Sequence, residues 1–175
     1  PRTCHQDHFN LTETDHMQAH HDEKEALIIF APPARGQMDL LRAACGQISL
    51  NIITADRRDY GHALGTLAGV KGLPDPKLPP EIIGQIPALS AQPLYPELPG
   101  TFIVFAFLSD SRLNEALKAL AGSGAGPFPY KAILTPHNMR WSVYRCFSQI
   151  TQEHEAMEKA KKAAKNTRTA PGRTE

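Results

Sequence analysis

The chain has 175 residues, of which 41% are hydrophobic and 21% charged, with 19 Lys and Arg against 18 Asp and Glu. That is a globular composition with enough chain for one domain, and it gives no global field to steer nucleic acid or acidic ligands. The longest apolar stretches fall far short of the ~20 residues a membrane-spanning helix needs, so no membrane association is expected. No signal peptide is read, and three scattered cysteines make no disulfide framework, so the expected location is a reducing cytoplasm.

Residues 1–25 set two basic against six acidic side chains and contain few large apolar ones. Such a segment cannot bury enough surface to offset its ordering entropy, and it reads as a disordered tail. Five of the eight histidines lie in it. Cys4, His5, His8, His16, His20 and His21 include i, i+3 and i, i+4 spacings able to hold zinc or nickel. Metal handling by this tail is therefore one functional reading. A polar tail offers no fixed ligand geometry, so adventitious binding is the other.

Ordered structure is expected from Ala26. The run Ala26 to Ala31 suits a strand buried on both faces, stopped by Pro32 and Pro33. Gly36 to Gly46 predicts a helix with Met38, Leu41 and Cys45 on its inner face and Leu40 and Ala44 beside them. Ile48 to Thr54 predicts a second strand, and Asp59 to Leu67 a second helix with Ala63, Leu64 and Leu67 inward. Two apolar strands joined by a helical crossover imply a parallel βαβ unit.

Residues 74–100 form a connector, and eight of the fifteen prolines fall within it, which argues against regular structure. Ile82, Ile83, Ile86 and Leu89 predict that it packs across the domain. The pattern then restarts. Thr101 to Phe107 predicts a strand, and Ser109 or Asp110 caps a helix carrying Leu113, Ala116, Leu117 and Leu120 on one face. Gly122 to Pro127 terminates that helix and does not read as a phosphate loop, since no strand precedes it and no Gly-Lys-Ser/Thr follows. Tyr130 to Thr135 predicts a fourth strand. A long helix begins near Trp141, with Val143, Phe147, Ile150, His154 and Met157 as its apolar stripe, while Trp141, Tyr144 and Ser148 lie off that stripe as a possible homodimer face. Its basic end, Lys159 to Lys165, lacks aromatic interleaving, so nucleic acid is not the expected partner. Residues 166–175 read as a second disordered tail.

The two halves, 26–73 and 101–165, share an element order. Thr54 and Thr135 are 81 positions apart, as are Tyr60 and Trp141, and the first strands align at an offset of 75. The expected fold is therefore α/β: two βαβα repeats from an internal duplication, forming a small, mostly parallel sheet flanked by helices within one domain, 26–165.

Asp59-Tyr-Gly-His-Ala-Leu-Gly65, then Ile103-Val-Phe, then Lys131-Ala-Ile-Leu-Thr-Pro-His-Asn-Met-Arg-Trp141 and a later Glu153-His154 together resemble the bacterial domain of unknown function 3783. The resemblance spans about residues 26 to 157. His137 departs from it, since a threonine usually holds that place. What it implies is a small cytoplasmic bacterial α/β protein, with no activity, cofactor or catalytic residue to carry over.

In open α/β sheets, ligands bind beyond the carboxyl ends of parallel strands. Those ends carry Asp56, Arg57, Asp59 and Tyr60 in one half and Thr135, His137, Asn138 and Arg140 in the other. If the ends come together, they form one polar crevice suited to a small anion, with Arg57, Asp59, Tyr60, Thr135, Asn138 and Arg140 as binding residues. His137 oriented by Asp56 would then be an acid/base pair for a small hydrolase or transferase. Turn and cap residues at a strand-to-helix junction look the same without any ligand. The leading expectation is accordingly a non-catalytic binding or regulatory module, whose partner is a protein or a small anionic ligand. No cofactor is expected beyond zinc or nickel on the tail.

Overall fold

The computed structural model describes residues 24–87 and 93–168. In chain order the elements are β1 (Ala26–Phe30), α1 (Arg35–Gln47), β2 (Asn51–Thr54), a 3₁₀ turn (Arg57–Asp59), α2 (Leu64–Leu67), α3 (Pro80–Ile83), β3 (Phe102–Ala106), α4 (Asp110–Gly122), β4 (Tyr130–Ile133) and α5 (Val143–Arg168). The strands form one open sheet in the order β2-β1-β3-β4.

Every residue of β1 and β3 is buried, as their unbroken apolar runs require. Side chains alternate across the sheet. Leu27, Ile29, Ile103 and Phe105 pack beneath α1 and α4 with Met38, Leu41, Cys45, Ala116 and Leu120. Ile28, Phe30, Phe102 and Val104 face the opposite layer, where Tyr60, Leu64, Val143, Tyr144 and Phe147 close the core. Aromatic rings organise that second layer: Phe102 stacks on Phe30 at 5.7 Å between centroids and meets Phe147 edge-on at 5.6 Å.

The sheet is mixed. β1 pairs in parallel with β2, and β3 with β4, as two βαβ units should. The central pair β1 and β3 is antiparallel, with Ile28 opposite Val104. The expectation of a mostly parallel sheet is corrected at this seam, where the connector returns the chain to start β3 beside the carboxyl end of β1. The matched positions also shift. Leu27 shares its face with Ile103, 76 residues on, and β2 and β4 start 79 residues apart. An offset of 75 would place matched first-strand residues on opposite faces of the sheet. At an offset of 81, Thr54 ends β2 while Thr135 lies beyond β4, and Tyr60 is fully buried where Trp141 is only partly so.

Several local expectations change for identifiable reasons. Ile48 to Leu50 turn the chain out of α1, with Ser49 at φ 53°, so β2 begins at Asn51. The predicted second helix divides into the 3₁₀ turn and α2. Between them, Ala63 makes an isolated antiparallel bridge to Ser142. Ser142 is also the cap of α5, its hydroxyl accepting from Arg145 N–H at 3.2 Å, so that helix starts two residues after Trp141.

The connector holds one helical turn, α3, and packs mainly through Leu78, Ile82, Tyr95 and the buried Leu98. Ile83 is exposed, and Leu89 lies outside the described residues. Leu40 faces solvent instead of flanking the core. Tyr144 is buried and donates its hydroxyl to Pro96 O at 2.7 Å, so it is unavailable for the expected homodimer face. No helix among the described residues is long and apolar enough to cross a membrane.

Candidate functional site

At the carboxyl end of β2, Asp56 caps the 3₁₀ turn. Its Oδ1 accepts from Arg58 N–H at 2.8 Å, and its Oδ2 pairs with the Arg58 guanidinium at 3.3 Å. Arg57 donates its Nε to Tyr95 O at 2.8 Å and lies 3.8 Å from Glu97. Asp59 closes the turn through its backbone.

Tyr60 turns inward. Its hydroxyl accepts from Ala31 N–H and donates to Glu97 Oε1, both at 2.9 Å. Ala31 sits at φ 46°, a left-handed conformation that a non-glycine residue adopts only when held. It is held from both sides, since Thr101 Oγ1 donates to Ala31 O at 2.7 Å. Burial pushes the Tyr60 and Tyr144 hydroxyls far above the usual tyrosine range, which keeps both neutral. The polar groups at this end are thus spent on docking the connector. Sequence reasoning missed Tyr95, Glu97 and Thr101, although two of them stand between prolines in the connector.

At the carboxyl end of β4, Asn138 is the organising residue. Its Oδ1 accepts from Thr135 N–H at 2.8 Å and its Nδ2 donates to Ile133 O at 2.9 Å. The Asn138 N–H donates in turn to Thr135 Oγ1 at 3.3 Å. His137 meets Trp141 edge-on at 5.1 Å, and the Arg145 guanidinium lies 4.3 Å from the Trp141 ring centre. Arg140 is exposed.

The expected single crevice therefore does not assemble. Because β1 and β3 run in opposite directions, β2 and β4 end at opposite ends of the sheet. Asp56 is engaged with Arg58 and His137 packs on Trp141, while Thr135 and Asn138 bond to each other at the carboxyl end of β4. What does meet is the chain beyond each cluster. Leu64 N–H donates to Trp141 O at 3.0 Å, and Gly65 N–H to Met139 O at 2.8 Å. The candidate metal ligands His5, His8, His16, His20 and His21, with Cys4, lie outside the described residues.

A different concavity lies along the free edge of β4. A groove of about 420 Å³ runs between α4 and α5, floored by β4 and closed at one end by His137, Asn138 and Trp141. A second groove of about 550 Å³ continues it toward the Gly124 to Pro129 turn, and the two share Leu117 and Lys131. Leu113 and Leu117 line the α4 side, Cys146 and Ile150 the α5 side. Ile133 on the strand is 46% exposed and Leu117 36%. Burial raises the Cys146 thiol to about 11, so it serves as an apolar wall. Alternation in β4 and the helical spacing of Leu113 and Leu117 carried the signal for these residues. Their exposure depends on β4 being an edge strand.

Fold and groove together define a small mixed α/β domain with an open, apolar sheet edge. Residues 101–157 match the model of a family described as a domain of unknown function, DUF3783, a stretch of about one third of the chain. It comprises β3, α4, β4 and the packed part of α5, and every residue lining the 420 Å³ groove falls within it. No curated protein and no solved structure matches the chain.

Proposed function

We propose that the protein is a non-catalytic binding module whose working surface is the free edge of β4. The observation that carries this reading is the pairing of an unpaired strand edge with a continuous apolar groove between α4 and α5, where Ile133 and Leu117 face solvent. Exposed strand edges are ordinarily blunted by charge, proline or a covering element, because they template association. Here Pro129 precedes the edge and Lys131 lies on it, yet Ile133 remains exposed in a groove. A photo-crosslinking residue placed at Ile133 in cells should give a discrete protein adduct that the same residue at Arg42, exposed on α1, does not. Identical adduct patterns from the two positions would remove the β4 edge as the working surface.

We further infer that the two βαβ units descend from one duplicated unit. Supporting this are two crossover helices of 13 residues each and left-handed residues, Ala31 and Phe107, that follow β1 and β3 at the same place. A reducing cytoplasm suits Cys45 and Cys146, both buried free thiols.

A further inference from the structure

The hydrogen bonds at the edge specify the occupant. Leu134 N–H donates to Phe105 O at 2.8 Å, so strand alternation turns the backbone groups of Lys131 and Ile133 away from β3. In a parallel ladder, each residue of an added strand donates its N–H to the carbonyl of residue i and accepts from the N–H of residue i+2. The Asn138 carboxamide does both, with Ile133 as i and Thr135 as i+2. It stands in for the N–H and C=O of one residue of a parallel neighbour. The preceding rungs, Lys131 C=O with Ile133 N–H and Pro129 C=O with Lys131 N–H, face the same side.

Resting on the β4-edge reading, we propose that this edge takes an extended peptide segment of another protein, added parallel to β4 and ending against Asn138. Its side chains alternate between the α4 wall at Leu113 and Leu117 and the α5 wall at Cys146 and Ile150, so apolar residues are favoured on both faces. The Asn138 hydrogen bonds set the direction as parallel to β4. His154 packs on Tyr130 at the start of β4 while Trp141 lies past its end, so α5 runs antiparallel to the strand. Glu153 and Lys131 therefore flank the beginning of the groove, and His137 and Asn138 its end.

A second copy of this chain fits poorly. Pro129 and Asn138 bracket the usable edge to Lys131 through Ile133, roughly 10 Å of strand, whereas stable dimers bury about 800 Å² on each partner.

The test is selection of a random hexapeptide display library on the full chain, followed by an N-methyl scan of the selected peptides. Enriched sequences should be apolar on both faces and be lost on Ile133→Asp and Leu117→Arg. Both positions are exposed, and circular dichroism verifies that each variant is folded. Methylating alternate backbone nitrogens should weaken binding about tenfold, with little effect at the intervening ones, because only alternate N–H groups face a strand partner. Binding that needs Ile133 and Leu117 but shows no alternation overturns strand addition and leaves the groove reading standing. No enrichment, or equal enrichment on the two variants, overturns both. Self-association through Ile133 that excludes the peptides overturns the peptide as occupant.

Discussion

The carboxamide of Asn138 closes the last rung of the β4 edge at Ile133, taking Thr135 N–H and supplying the donor for Ile133 O. Asn138→Ala removes both bonds, and the expected loss is about 1–2 kcal/mol, in the range of a lost capping side chain. Asn138→Asp keeps the acceptor for Thr135 but sets a carboxylate against the Ile133 carbonyl, so it should destabilise more than Asn138→Ala at neutral pH. Urea denaturation midpoints at constant slope check the order of the two variants.

Tyr60→Phe strips the partner from Ala31 N–H and from Glu97 while preserving the ring's packing against Phe30. A buried backbone donor left unsatisfied costs about 1–3 kcal/mol, and the left-handed Ala31 loses one of its two restraints. Thermal unfolding should show a clearly lowered midpoint. Tyr144→Phe, which removes a single bond to Pro96 O, should cost about 1 kcal/mol.

Alkaline pH should unfold the protein through the same two tyrosines. Both hydroxyls are raised above the ordinary value of 10.0, chiefly by burial, so the native state holds their protons where the unfolded chain releases them. Their contribution is complete below pH 10 and declines as pH climbs above it, because the unfolded state then binds fewer protons than the native one. Tyr60 and Tyr144 should give no tyrosinate absorbance at about 295 nm until the far-ultraviolet circular dichroism is lost, with single Phe variants assigning the signal. A tyrosinate rise for either residue while the fold is intact would contradict their placement.

Gly65 lies where the two chain segments cross. A Cβ there would stand 3.0 Å from Met139 O and 2.6 Å from Leu73 Cδ1. The Leu73 methyl can yield, but the Met139 carbonyl is bonded to Gly65 itself and cannot move freely. Gly65→Ala should therefore destabilise by about 1–3 kcal/mol, the usual cost of overpacking, despite alanine's better helix propensity. Gly36→Ala in the first turn of α1, where a Cβ meets nothing within 4 Å, should be neutral or stabilising in the same denaturation assay.

The Cys146 thiol, buried and raised to about 11, should resist modification. At pH 8 only about one thiol in a thousand is ionised, so a thiol-reactive disulfide reagent should label it no faster than the chain opens. Labelling rates of Cys146 that track urea concentration support this position, while prompt labelling of Cys146 in a native Cys4→Ser, Cys45→Ala variant would refute it.

Much of the architecture was legible in local pattern. The buried central strands follow from Ala26 to Phe30 and Phe102 to Ala106, where alternation is absent because both faces are covered. The inner faces of α1 and α4 follow from helical spacing, and Ser109 caps α4 as expected. The candidate site was half legible. Thr135 and Asn138 do form a defined motif, but it serves a strand edge instead of an anion crevice. Tyr60 was read as a ligand contact from its place after a strand, yet its ring fills the core and its hydroxyl restrains Ala31. The partners that decide its role, Glu97 and Ala31, are 37 and 29 residues away.

The sequence by itself determined which segments are strands and helices and which of their faces are apolar, because propensity and periodicity act within a few residues. The family resemblance read across residues 26 to 157 is matched over the shorter stretch 101–157, which leaves out the Asp59 to Gly65 motif. Only the tertiary structure decided that the halves meet antiparallel, which sends the carboxyl ends of β2 and β4 to opposite ends of the sheet and leaves β4 as an open edge. The physical reason is range. Two parallel βαβ units can join in either sense with the same local patterns. The choice rests on long-range contacts, in which Tyr60, Tyr144 and Thr101 bind the connector and its neighbours, and Gly65 admits the crossing of the two segments.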